Sequence, residues 1–253
     1  VVNELSNQTK LAIVAALERE VRSLGKGWLV VRRQCDGREF KFFERNNTAL
    51  VCGGIGAEAA RRATEAVINL YHPESIQSVG FAGALDSTLK VGNIFIPGSV
   101  IDAKDGSRIE IGTATGILLT VPSVAGSAEK ANFAQTYGAN AIDMEAAAVA
   151  RVAQFHGIQF SAVKSISDEN DFEMPPMERF INGNGQFRTK MFAAFVAVRP
   201  WLWISVARLA GKSAKASKAL CEWLEHGDPG LEKLDNSHLD SHPIKGAHPQ
   251  PRT

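Results

Sequence analysis

Thr48-Ala49-Leu50-Val51-Cys52-Gly53-Gly54-Ile55-Gly56 reads as a buried strand running into a glycine turn. A helix follows over Ala57–Tyr71, and His72-Pro73 stops it. The strand is continuously apolar rather than alternating, the pattern of a strand covered on both faces. Such a strand handing over to a helix is the repeating unit of a layered α/β fold.

The unit recurs along the chain. Upstream, Leu11-Ala12-Ile13-Val14-Ala15-Ala16-Leu17 is another apolar run of strand length, and residues 28–33 and 40–44 read as shorter strands around the Asp36-Gly37 turn. Downstream, residues 76–81, 91–97, 99–102 and 117–121 read as strands. Residues 127–137 read as a helix capped by Gly138. A short strand over 140–143, an Ala-rich helix over 145–156 and a strand over 160–165 complete the alternation. The expected fold is therefore α/β, a single-domain three-layer arrangement with a mixed, largely parallel central sheet over residues 10–226. Residues 1–9 are expected to fray, and the polar tail 227–253 to be disordered.

Composition narrows the function classes. With 253 residues, 45% of them hydrophobic, the chain can bury one large core. A net charge of +1 gives no global field toward nucleic acid. Cys35, Cys52 and Cys221 have no metal-ligand spacing, and their odd number speaks against a disulfide framework. A reduced, cytoplasmic setting is expected, with no signal peptide at the N-terminus. His238, His242 and His248 fall in the polar tail, so no metal site is expected.

Residues 191–207 are apolar except for Arg199, Pro200 and Ser205. A spanning helix needs about 20 apolar residues, and the Arg-Pro pair interrupts this one. Two packed helices separated at Pro200 are expected. Leu202, Val206, Leu209, Leu220 and Leu224 then keep a helical spacing, so a long amphipathic helix closes the domain.

In open α/β sheets, ligands sit beyond the carboxyl ends of the strands. Glu20, Gly54, Ala82, Glu145 and Asp168 all follow predicted strands, so one pocket would collect them. Three acidic signatures fall there: Leu17-Glu18-Arg19-Glu20, Ile142-Asp143-Met144-Glu145 leading into Ala146–Ala150, and Ser165-Ile166-Ser167-Asp168. In order and spacing, from about Leu11 to Asp168, they resemble the nucleoside phosphorylase and nucleosidase family. That family cleaves the N-glycosidic bond between a base and a ribose.

The resemblance implies a role for each residue. Asp168, beside Ser167, protonates or hydrogen-bonds N7 of the purine; an apolar surround would raise its pKa. Read alone, Ser167-Asp168 is equally an N-cap. Glu145 accepts bonds from the ribose hydroxyls, with Met144 beside the sugar and Asp143 as support. A predicted helix N-terminus would keep Glu145 ionised, and a first-turn glutamate that merely stabilises its helix is the alternative. Ala15 to Val21 resembles the nucleosidases of methylthioadenosine and adenosylhomocysteine, in which the last glutamate, here Glu20, activates water. The alternative is a solvated helix residue beside Arg19. Phe81, Ala82 and Gly83 resemble the loop beside base and ribose.

Phosphorylases need a cationic phosphate cradle, and Val79 to Leu85 supplies no arginine, which favours hydrolysis. Gly54 and Gly56 are candidates for a backbone anion cradle, or simply a tight turn. No Walker or dinucleotide pattern is present, and neither metal nor organic cofactor is expected.

Three features depart from the nucleosidases: Phe81 replaces a small or hydroxyl residue, the segment 102–124 is short, and residues 191–203 are rich in Phe and Trp. The short segment with Thr120-Val121-Pro122-Ser123 resembles the hopanoid-associated phosphorylase branch, which releases adenine from an adenosylated lipid. The apolar C-terminal surface would suit a lipid tail or a membrane edge reached by Trp201 and Trp203; a core helix pair or a dimer interface is the alternative.

The expected activity is hydrolysis of a purine, adenine-type nucleoside carrying methylthioadenosine, adenosylhomocysteine or hopanoid-linked substitution at the 5′ position. Phosphorolysis, a silent nucleoside-binding module and a membrane-peripheral protein are the rivals. The resemblance also implies a homo-oligomer, and the net charge of +1 points to no nucleic-acid partner.

Overall fold

In the computed structural model residues 9–226 are described; the frayed N-terminus and the polar tail expected at the two ends fall on residues 1–8 and 227–253, outside the described residues. The strands are β1 (Leu11–Ala15), β2 (Leu29–Cys35), β3 (Arg38–Arg45), β4 (Thr48–Cys52), β5 (Ser75–Ala84), β6 (Ile94–Phe95), β7 (Ser99–Asp102), β8 (Arg108–Glu110), β9 (Ile117–Thr120), β10 (Ala141–Asp143) and β11 (Gln159–Asp168). All belong to one sheet of order β2-β3-β4-β1-β5-β10-β9-β7-β8, with β11 pairing β5 and β6 beside it. β1 runs parallel to β4 and β5, and β5 runs parallel to β11. The sheet is mixed and its centre is parallel, as expected.

The apolar run of β1 shows why the layers form. All five of its residues are buried. Ala12 and Val14 face one cluster with Ala60, Ala63 and Val67 of α1 (Ala57–Tyr71) and Val149 of α3 (Ala146–Phe155). Leu11, Ile13 and Ala15 face the other, with Leu220 and Cys221 of α5 (Trp203–His226). A strand alternates its side chains between faces, so a continuously apolar strand needs cover on both. Gly53 lies so close to α1 that an added Cβ would come within 2.7 Å of Ala63 Cβ. That contact explains a small residue where β4 turns into the helix. α1 ends at His72, whose left-handed backbone (φ 46°) lets its N–H reach Ile68 O.

Several expectations need correction. Residues 91–97 form only the two-residue β6, because Pro97 and Gly98 interrupt the run before β7. β8 was not anticipated; it is a three-residue edge strand with no buried residue to mark it. β5 and β11 each span ten residues. Ala82, Gly83 and Asp168 therefore lie inside the carboxyl ends of these strands rather than after them. Pairing explains the extension, since Gly83 matches Ile142 on one side and Asp168 on the other.

The C-terminal helices break at Pro200 as expected: α4 (Thr189–Ala197) and the Pro200–His226 segment meet at 115°. They do not form a core pair. α4 buries no residue, and Val198, Trp201, Trp203 and Ile204 are exposed by 70, 72, 54 and 65%. Only the later turns of α5 pack on the sheet, through Ala216, Leu220 and Cys221. Among the described residues no single helix is long and apolar enough to cross a membrane.

Candidate active site

The carboxyl ends of β1, β5, β10 and β11 converge on a cavity of about 160 Å³ whose walls include Glu20, Ala82, Gly83, Met144, Glu145 and Asp168. Phe81, Asp143 and Ser167 line it as well. Through Arg19, Phe81, Ser167, Met174 and Met177 it shares walls with an open groove of about 590 Å³, bounded farther out by Phe187 and Phe192 and by Val206 and Leu209 of α5.

Glu20 lies on the turn after β1 and is 6% exposed, so it is not a solvated residue beside Arg19. α5 clamps its backbone: Ser217 Oγ donates to Glu20 O at 3.0 Å. Glu20 Oε2 is buried without a hydrogen-bond partner among the described residues. A Cβ on Gly80 would lie 2.7 Å from that oxygen and would push the carboxylate from its present place. Burial, reinforced by Glu145, pushes the Glu20 pKa up to about 8 against the opposing pull of Lys164 and Arg19.

Glu145 stands at the N-cap of α3. Its Oε1 accepts the Gly56 backbone N–H at 2.8 Å and its Oε2 accepts that of Met144 at 3.3 Å. The helix terminus does not hold it in the ordinary carboxylate range. Burial and the neighbouring Asp143 carboxylate outweigh these donors and Lys164, and push its pKa up to about 7.

The glycine cradle also needs correction as a ligand site. The N–H groups of Gly53 and Gly54 donate to Ala15 O and Ala16 O, and that of Ile55 to Gly185 O. Gly56 N–H donates to Glu145. The anion held by this turn is the chain's own carboxylate.

Asp143 supports from below. It accepts from Thr120 Oγ at 2.6 Å, from Ala146 N–H at 2.9 Å and from the Lys164 ammonium at 2.9 Å. Lys164 is buried in β11 and also donates to Ser78 Oγ at 3.0 Å. Burial works against its charge, but Asp143, Glu145 and Glu20 outweigh burial and hold its pKa above the usual lysine value.

Asp168, 1% exposed, ends β11. Its Oδ1 accepts from Ser167 Oγ at 2.6 Å, and its Oδ2 takes an ion pair from Lys130 in the first turn of α2 (Ser127–Tyr137). The apolar surround expected for Asp168 is thus replaced by a buried ammonium. The N-cap alternative also falls, since the next helical turn is the 3-10 segment Glu178–Phe180. Gly83 lets the pair close up, because a Cβ there would lie 2.9 Å from Asp168 Oδ2.

Glu20, Phe81, Ala82, Gly83, Asp143, Met144, Glu145, Ser167 and Asp168 meet around this cavity, whereas Gly54 and Gly56, also expected there, do not line it. Lys130 and Lys164 went unread in the sequence, as did Met174 and Met177, which supply apolar wall. A lysine inside Phe160 to Ser165 was a usable signal, since a charge in a buried strand needs a partner. Lys130 gave none, because its surroundings in α2 are polar. Among the described residues no group of His, Cys, Asp or Glu could hold a metal ion.

A mixed-sheet α/β fold with a carboxylate-lined cavity at its strand ends is the arrangement that the resemblance in the sequence implied. The model of the phosphorylase superfamily matches residues 10–114 and 103–197, and the chain belongs to that family. It is 26% identical over 199 residues to the 5′-methylthioadenosine/S-adenosylhomocysteine nucleosidase of Buchnera aphidicola subsp. Acyrthosiphon pisum (strain APS), covering 64% of this chain and 86% of that one. In fold it is similar to the S-adenosylhomocysteine nucleosidase of Streptococcus pyogenes in complex with 5-methylthiotubericidin, with a TM-score of 0.66, 18% identity, and 91% and 99% of the two chains covered. It is also similar to futalosine hydrolase of Helicobacter pylori, with a TM-score of 0.61, 19% identity, and 86% and 98% covered.

Proposed function

We propose that this chain hydrolyses the N-glycosidic bond of a 5′-substituted adenine nucleoside. The observation that carries this reading is Glu20 Oε2, a buried carboxylate oxygen on the cavity wall with no partner among the described residues. A water bound there fills the missing hydrogen bond and loses its proton to Glu20 as it attacks C1′ of the ribose. Glu145 accepts hydrogen bonds from the 2′- and 3′-hydroxyls, Met144 packs against the sugar, and Asp143 with Lys164 holds this end in place. The C1′–N9 electron pair passes to the purine, whose N7 faces Asp168 and Ser167. Phe81, Ala82 and Gly83 form the wall beside base and sugar. No cofactor takes part.

Phosphate is a poor co-substrate for this arrangement. The N–H groups of residues 53–56 are all engaged, and a dianion would face Glu20 and Glu145. The relatives named as nucleosidases support the same reading.

The 5′ substituent lies toward the adjoining groove, whose Phe187, Phe192, Val206 and Leu209 suit an apolar group. Methylthioadenosine, adenosylhomocysteine and a hopanoid-linked adenosine remain the candidates. Trp201 and Trp203 give the same end of the molecule a peripheral membrane contact. The enzyme works as a homo-oligomer in the cytoplasm, where Cys35, Cys52 and Cys221 stay reduced. Adenine release from adenosine and from each candidate, with Asp168→Asn as control, tests the reading. Release lost in the variant supports it; tight nucleoside binding with no release by the wild type would make the chain a binding module.

A further inference from the structure

Lys130 is a lysine with its side chain 2% exposed, a costly placement unless its charge is used. Two of its three donors are taken: one by Asp168 Oδ2, one by Glu169 O at 2.8 Å. The third has no acceptor among the described residues, and Lys130 lines the cavity. Asp168 accepts at both oxygens, from Lys130 and from Ser167. With both oxygens so engaged, the Lys130 ammonium stands directly behind the carboxyl group that faces the leaving base.

The other charges near Lys130 are committed elsewhere. Glu129 caps Gly126 N–H, Glu173 takes the Ser127 hydroxyl, and the Glu169 carboxylate pairs with Lys212.

We propose that Lys130 supplies the proton that the departing purine needs, passing it through Asp168. This rests on the hydrolytic reading above. As the C1′–N9 bond breaks, its electron pair goes to the purine; the Lys130 ammonium passes a proton to Asp168 Oδ2, and the carboxyl so formed delivers that proton to N7 and ends as a carboxylate again. Lys130 is left as a neutral amine. The attacking water gives its oxygen to C1′ and its proton to Glu20. Glu20 then returns a proton to solvent, and Lys130 takes one up, which closes the cycle. Lys130 is thus a positioning residue that acts through Asp168.

The test is Lys130→Met, assayed on methylthioadenosine or whichever nucleoside the wild type hydrolyses. At neutral pH the rate falls about 100- to 10,000-fold. Without the ammonium, Asp168 must carry its own proton, which a carboxyl does only toward acidic pH. The ratio of variant to wild-type rate therefore climbs at least about tenfold as pH falls from about 8 to about 5. A loss with a constant ratio means a structural role and overturns the proposal, as does a rate near wild type.

If Lys130→Met does not fold, Lys130→Arg keeps the charge pair but holds its protons too tightly to donate. It should fold and lose rate at neutral pH; wild-type rate in it would overturn the proposal. Absence of base release by the wild-type enzyme itself would instead overturn the hydrolytic reading.

Discussion

The backbone N–H of Gly56 donates to Glu145 Oε1 at 2.8 Å across 89 residues of sequence. A turn of the type that elsewhere binds anions here fixes a carboxylate of the chain itself. The hydrogen bond ties the start of α1 to the start of α3 and sets the orientation in which Glu145 meets the ribose.

Glu145→Gln should therefore lower kcat/KM. Each lost bond from a ribose hydroxyl to a charged acceptor corresponds to about a 10- to 100-fold loss. A 2′-deoxynucleoside already lacks one of these bonds, so the variant should lose less on it than on the ribonucleoside. Equal losses on both substrates would remove Glu145 from the sugar.

The activity should rise with pH through the neutral range. Glu20 must be ionised to take a proton from water, and its pKa is held at about 8. kcat/KM should climb until roughly that pH and then level. Glu20→Gln should lose about 100- to 10,000-fold and show no such rise. A wild-type profile flat from acid to pH 8 would contradict the assignment.

The same groups set the stability profile. Glu20 and Glu145 have pKa values near 8 and 7 in the folded chain, against an ordinary 4.5. The folded state thus binds protons more tightly than the unfolded one. Their contribution is fully present below pH 4.5 and is lost as pH rises through 7 and 8. Thermal melting of Glu20→Gln should match or exceed the wild type at pH 9, with the gap closing on acidification. A gap that widened toward acid would reverse the sign.

Lys164→Met should destabilise the fold by about 3–5 kcal/mol, because it leaves Asp143 buried beside Glu145 without its cation. Adding Asp143→Asn should recover part of the loss. Denaturant unfolding of the single and double variants measures this coupling.

The exposed α4–α5 corner should bind anionic vesicles. Trp201, Trp203 and Ile204 project from it, and Arg188, Lys190 and Arg208 lie exposed nearby. Flotation should fall in Trp201→Ala/Trp203→Ala. No difference between variant and wild type would leave this corner to another partner.

Much of this architecture was legible because each signal was local. The unbroken apolar run of β1, the His72-Pro73 stop and the three acidic signatures each lie within a few consecutive residues. The cation partners were not legible. Lys130 and Asp168 are 38 residues apart, and a lysine in a polar helix ordinarily faces water. Nor does helical spacing say what covers an apolar face, so the sequence left Trp201 and Trp203 open between a lipid-facing surface and a core pair, and their exposure of 72 and 54% removes the core pair. β8, with three residues and no buried side chain, carried no pattern at all.

The most direct test of the central claim is adenine release from methylthioadenosine in phosphate-free buffer, repeated with inorganic phosphate. Hydrolysis by Glu20 predicts equal rates and a free sugar as the second product. Release only with phosphate, yielding a sugar phosphate, would contradict it and displace Glu20 from the centre of the reaction.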